Sequence, residues 1–148
     1  MIGNALLAWL HYLGFALMLA CLALEHRLFR PAADAATLRT VARIDGLYGI
    51  LAGLQIGTGI ARMFAEKGAG YYLHNPVFHA KLGLFVLVGL LSIYPTVSFI
   101  RLRRQAESGS RQLAERTLRR VVMLIRVELL GMLVLPLLAA LMARGVGA

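Results

Sequence analysis

The chain has 148 residues, of which 59% are hydrophobic and 16% charged, with a formal net charge of +9. A soluble domain is about 45–50% apolar and about 25% charged, so a mean hydropathy of +0.73 excludes a water-facing globule and a disordered chain. The single cysteine, Cys21, excludes an internal disulfide and a cysteine-held iron–sulfur cluster.

A membrane-spanning helix needs roughly 20 mostly apolar residues. Four stretches meet that demand, at about 5–24, 45–64, 77–100 and 121–143. The predicted fold is all-α: one integral membrane four-helix bundle occupying residues 1–148 as a single domain. Span one carries no formal charge. It lacks the basic front and small-residue cleavage site of a signal peptide and reads as a retained helix. Asp34 is placed to cap a helix that runs straight into span two. Span three starts behind Asn75 and Pro76, carries Lys81, and extends through Arg101 to Arg104 until Ser108-Gly109-Ser110 breaks it. Ser110 is placed to cap the helix leading into span four, which contains Arg126 and Glu128.

Arginine marks the sides. The segment between spans one and two holds Arg27, Arg30, Arg39 and Arg43; the segment between three and four holds Arg101, Arg103, Arg104, Arg111, Arg116, Arg119 and Arg120. The positive-inside rule makes this side cytoplasmic, with both termini outside and the bacterial inner membrane as the location. The basic skirt is expected to touch anionic lipid. No recognition motif accompanies the charge, so nucleic acid is not an expected partner.

Ionisable residues within spans face the bundle interior and mark function. His11, Met18 and Glu25 recur every seventh position on span one, as do Tyr48, Gln55 and Arg62 on span two, and each set forms an interior stripe. His79 and Lys81 are two residues apart and diverge around their helix, as do Arg126 and Glu128. By depth, His11, Arg62 and His79 fall in the outer half of the bilayer. Glu25, Asp45, Arg126 and Glu128 fall in the inner half.

Two histidines at similar depth on different helices suit a haem or a metal. His11 and His79 are therefore the candidate axial ligands of a haem b, with His74 as the alternative to His79. Gly14 and Gly83 lie on the histidine faces, where a planar group needs room. Arg62, Lys81, Tyr71 and Tyr72 are placed to pair with its propionates. The plainer readings are an interhelical hydrogen bond for His11 and a helix-start residue for His79. Trp9, Tyr12, Tyr71 and Tyr72 also suit an aromatic belt at the outer interface. Glu25, Asp45, Arg43, Arg126 and Glu128 are expected to form a buried ion network, with a proton path as the functional alternative. Gly49, Gly53 and Gly57 form a small-residue ridge, and a homo-oligomer is expected.

The runs Tyr71-Tyr72-Leu73-His74-Asn75-Pro76-Val77-Phe78-His79-Ala80-Lys81-Leu82 and Ser92-Ile93-Tyr94-Pro95-Thr96 resemble an uncharacterised bacterial four-helix membrane family, a domain of unknown function. Glu25-His26-Arg27-Leu28-Phe29-Arg30-Pro31 and Arg43-Ile44-Asp45-Gly46-Leu47-Tyr48-Gly49 resemble it too. A more distant similarity is to the HemJ-type protoporphyrinogen oxidases, small membrane proteins that bind haem b. It rests on His11, Arg27-Leu28-Phe29, His79-Ala80-Lys81-Leu82 and Tyr94. The tryptophan and paired glycines expected after the first-helix histidine are missing, and Pro95 stands where a histidine is expected. The resemblance implies a haem-binding bundle.

The function expected is a membrane b-type cytochrome with bis-histidine ligation, exchanging electrons with a quinone or a respiratory protein. The alternatives are an oxidase acting on a porphyrin-type substrate and a cofactor-free structural or transport module.

Overall fold

A computed structural model describes residues 2–31, 33–108 and 115–147. Four long helices dominate it: α1 (Ile2–Leu28), α2 (Ala35–Ala65), α4 (Pro76–Glu107) and α5 (Glu115–Ala143). A short helix, α3 (Ala69–Leu73), lies between α2 and α4. The long helices have 27 to 32 residues. They therefore run roughly 40–48 Å at about 1.5 Å per residue, longer than the hydrocarbon slab of about 30 Å. All four are apolar enough to cross a membrane.

Local chemistry sets the helix starts. The Asp34 side chain accepts from the Thr37 amide at 2.8 Å, as its position predicts. The buried Asn75 side chain accepts from the Val77 and Phe78 amides, and Pro76 takes the first helical position, where its missing N–H costs nothing. Helix α4 ends at Glu107 with Ser108 as its cap. The expected Ser110 cap lies outside the described residues. Helix α3 was not expected from the sequence.

The helices form a closed ring in the order α1, α2, α4, α5, each packed against the next and α5 against α1. Helices α1 and α4 are therefore diagonal, with no close approach of their backbones among the described residues. Two hydrogen bonds bring both termini to the α3 end: Asn4 Nδ2 to the Ala65 carbonyl at 3.1 Å, and Asn75 Nδ2 to the Val146 carbonyl at 3.2 Å. The opposite end carries the arginines.

Met18, Leu22, Val41, Leu51, Val88, Ile125 and Met132 form the dry interior. Near the Arg-rich end the rings of Phe29 and Phe99 meet edge to face at 5.1 Å. The outer surface of the bundle is lined with exposed Leu6, Trp9, Leu54, Leu90, Leu130 and Leu133. That reversal of a soluble protein's pattern suits hydrocarbon as the solvent.

Glycines do two different jobs. A Cβ at Gly131 would lie 2.7 Å from Val88 Cγ2, so this residue sets the α4–α5 approach. A Cβ at Gly49, Gly53 or Gly57 would meet nothing within 4 Å, so no helix of this chain packs on that ridge. Gly131→Ala is predicted to destabilise the bundle by about 1–3 kcal/mol, because a stiff valine must move. Gly53→Ala is predicted to stay within about 0.5 kcal/mol of the parent. Equilibrium unfolding in mixed micelles measures both; equal stabilities for the two variants would contradict the packing.

Candidate functional site

The interior stripes read from the sequence are real. Met18, Glu25, Tyr48 and Gln55 are all buried, and the half-buried His11 and Arg62 continue the two rows toward the α3 end. There, His11 on α1 is clipped to α2 through both ring nitrogens. Its Nδ1 lies 2.8 Å from Thr58 Oγ1 and its Nε2 lies 3.0 Å from Gln55 Nε2.

Hydrogen-bond accounting assigns the tautomer. The Thr58 hydroxyl donates to the Leu54 carbonyl at 2.8 Å, so it accepts from His11, whose Nδ1 carries the proton. His11 Nε2 then presents its lone pair to the Gln55 amide. The carbonyl oxygen of Gln55 is buried without a partner. Two glycines make space for this arrangement. A Cβ at Gly14 would lie 3.1 Å from Gln55 Oε1, and one at Gly59 would lie 3.4 Å from His11 Cε1.

Cationic groups surround the imidazole. Arg62 and Lys81 both lie within electrostatic reach of His11, with Glu66 as the one acidic group beside them. Arg62 Nε donates to Glu66 Oε1 at 2.7 Å, and its guanidinium lies 5.0 Å from the centre of the Tyr12 ring. Lys81 is half-buried and has no hydrogen bond or ion pair among the described residues. Tyr72 is buried and donates to Glu66 Oε2 at 3.2 Å, which ties α3 to the end of α2. Tyr71 instead stands beside Lys67, 3.2 Å from its ammonium.

The structure does not bring His79 to His11. His79 is exposed and donates through Nε2 to the Leu73 carbonyl at 2.9 Å. His74 is likewise exposed and donates through Nδ1 to the Gly70 carbonyl at 2.7 Å. Two residues on a helix differ by about 200° in direction, so turning Lys81 toward the core turns His79 away. Gly83 is exposed, and a Cβ there would meet nothing within 4 Å.

The donor set fits one face of a haem. His11 anchors Nδ1 on Thr58, the kind of outer partner that orients ligating histidines, and its Nε2 lone pair accepts from the Gln55 amide, which a ligand would have to displace. Arg62 and the unpaired Lys81 suit carboxylates. The second face has no ligand aimed at it, and no group of three or more His, Cys, Asp or Glu side chains among the described residues could hold a bare metal ion.

The expected inner ion network does not form. Glu25, Asp45 and Glu128 are buried, while Arg43 and Arg126 are exposed. Each arginine is two residues from an acid on its own helix, so the same 200° divergence points it outward. Arg126 donates to His26 Nε2 at 3.1 Å instead. Sequence reasoning placed Gln55 on the right face without giving it a role. It missed Glu66, although its i,i+4 spacing from Arg62 is that of a helical ion pair.

The Arg62 guanidinium, hydrogen-bonded to Glu66, holds that carboxyl below the usual carboxylate range against the opposing effect of burial. A depressed folded pKa stabilises fully above the unfolded value of roughly 4.3, and the stability is lost as pH falls through the folded value. Helix α3 is therefore predicted to stay docked at neutral pH and loosen in acid. Intrinsic-rate-corrected hydrogen exchange at the Ala69–Leu73 amides reads this. Glu66→Gln should show the weaker protection already at neutral pH; unchanged protection in both cases would contradict the tether.

The family described as "Predicted membrane protein (DUF2214)" matches residues 3–147, and the chain belongs to it. It is a multi-pass membrane protein. No curated protein and no solved structure matches the chain.

Proposed function

We propose that this DUF2214 protein binds haem b at the α3 end of its bundle and serves as an electron-transfer module of the bacterial inner membrane. The α3 end faces outward, since the arginine-rich end belongs on the cytoplasmic side. The observation that carries this reading is that Arg62 and Lys81, on two other helices, both lie within electrostatic reach of the His11 imidazole. An imidazole lone pair beside two cations matches a cofactor that offers an iron and two carboxylates.

In this reading His11 holds the iron through Nε2, and Thr58 fixes the ring by accepting from Nδ1. Gln55 moves off the lone pair and its amide turns to the ligand. Lys81 and Arg62 hold the propionates, with Tyr12 and Glu66 keeping the Arg62 guanidinium in place. His79 or His74 would be the second ligand, each giving up its backbone carbonyl. A haem held by two histidines would supply one-electron transfer, suited to a quinone or respiratory partner. A homo-oligomer packed on the Gly49, Gly53 and Gly57 ridge belongs to the same proposal; native mass measurement finding monomer alone would overturn that part.

One observation favours a second reading. Both His11 nitrogens already have partners, so His11 also serves as an interhelical clip in a cofactor-free module.

The absorption spectrum of protein purified from haem-replete cells separates the readings. A sharp reduced alpha band of six-coordinate haem b is expected, with most haem lost in His11→Ala and about tenfold weaker retention in Lys81→Met, the loss of one charge-assisted contact. Haem loss in His79→Ala but not in His74→Ala assigns the second ligand, and the reverse result assigns it to His74. Carbon monoxide binding would replace electron transfer by an oxidase acting on a porphyrin-type substrate. Colourless protein would leave the interhelical clip.

A further inference from the structure

Below the His11 level the core holds a second polar level, and haem binding makes no use of it. Glu25 on α1, Asp45 and Tyr48 on α2, and Glu128 on α5 are buried together. Each of the three acids lies within electrostatic reach of the other two. Thr96 on α4 donates to Asp45 Oδ1 at 2.8 Å. Glu128 is 1% exposed, and among the described residues neither of its oxygens has a hydrogen-bond partner; Glu25 Oε1 has none either. The ion pairs among the described residues, Arg62–Glu66, Arg103–Glu107 and Arg119–Glu115, all lie elsewhere. Carboxyl groups in a dry core cost free energy unless they hold a proton or a positive charge answers them.

An opening leads to this level. A cleft of about 360 Å³ lies between α2 and α4, with Asp45, Tyr48, Ser92 and Thr96 as its polar lining. Phe85 and Ile56 supply apolar wall. Gly49 and Gly89 keep it wide, since a Cβ at either position would meet nothing within 4 Å. A mainly apolar pocket of this size with a few convergent polar groups is the form of a small-molecule site. The carboxyls are not grouped closely enough to hold a metal ion.

We propose that the α2–α4 cleft binds an organic monocation, a protonated amine or quaternary ammonium with an apolar body. Asp45 is its direct counter-charge. Glu128 and Glu25 lie behind Asp45 and do not line the cleft. Tyr48 and Phe85 present ring surface to the cation and its body. Ser92 and Thr96 complete the polar side of the cleft. This site shares no residue with the His11 level, and its one overlap with the proposed function is Gly49, which also belongs to the oligomer ridge.

Benzyltrimethylammonium, whose charge does not vary with pH, is a suitable probe, and neopentylbenzene is its uncharged isostere. Titration calorimetry on the full chain in detergent should show saturable binding of the cation and none of the isostere. Asp45→Asn should weaken binding about tenfold or more, the scale of one lost charge contact in a partly buried site. Glu128→Gln should leave binding near the parent value, because Glu128 does not line the cleft. Gly89→Leu fills the cleft with every carboxyl intact and should abolish binding while the protein elutes as the parent does. Equal binding of cation and isostere would overturn the proposal. So would absence of saturable binding, or parental affinity in both Asp45→Asn and Gly89→Leu.

Discussion

A polar side chain inside hydrocarbon has no water to turn to, so it must find a protein partner. In this bundle the decisive pairing is His11 on α1 with Thr58 and Gln55 on α2. It fixes how both helices are rotated. With His11 turned inward, Met18 and Glu25 follow on the same stripe, and with Gln55 turned inward, Tyr48 and Arg62 follow. The glycines at 14 and 59 let the two helices close around the pair. Helices α4 and α5 then complete the ring, held together at Gly131 and sealed at the Arg-rich end by Phe29 and Phe99.

Two polar levels of opposite sign result, separated by the apolar side chains of Met18 and Leu51. The level at the α3 end is cationic, with Lys81 unpaired and Arg62 tied to a single carboxylate. The deeper level is acidic, with three buried carboxyl groups and no basic partner. Lys81 at the first level and Glu128 at the second have no hydrogen-bond or ion-pair partner among the described residues, and it is these groups, not the His11 clip, that packing leaves unused.

The long helices, their approximate limits and the Asp34 cap were legible in the sequence because hydropathy and capping are local. The interior stripes were legible because a seven-residue recurrence keeps a side chain on one face. Positions two apart were the hard cases. At Arg43 and Asp45, His79 and Lys81, and Arg126 and Glu128, only one member of each pair faces inward, and composition does not say which. In each instance the packing chose: Asp45, Lys81 and Glu128 turned in, their neighbours out. The diagonal placement of α1 and α4 depends on the order of helices around the ring, which hydropathy does not encode. Helix α3 is too short for any period to reveal it. Gln55 could be assigned to a face, but its partnership with His11 needed the axial offset between two helices.

The histidine nitrogens themselves give the most direct test of iron at His11. Protein labelled with nitrogen-15 at histidine and purified from haem-replete cells should lack a resolved His11 signal in the oxidised state, because ferric iron at Nε2 broadens it. Stripping the haem should restore a neutral imidazole protonated at Nδ1. A sharp His11 signal of that same tautomer in the haem-replete oxidised protein would show the ring still bound to Gln55 and Thr58, and would contradict iron ligation at this site.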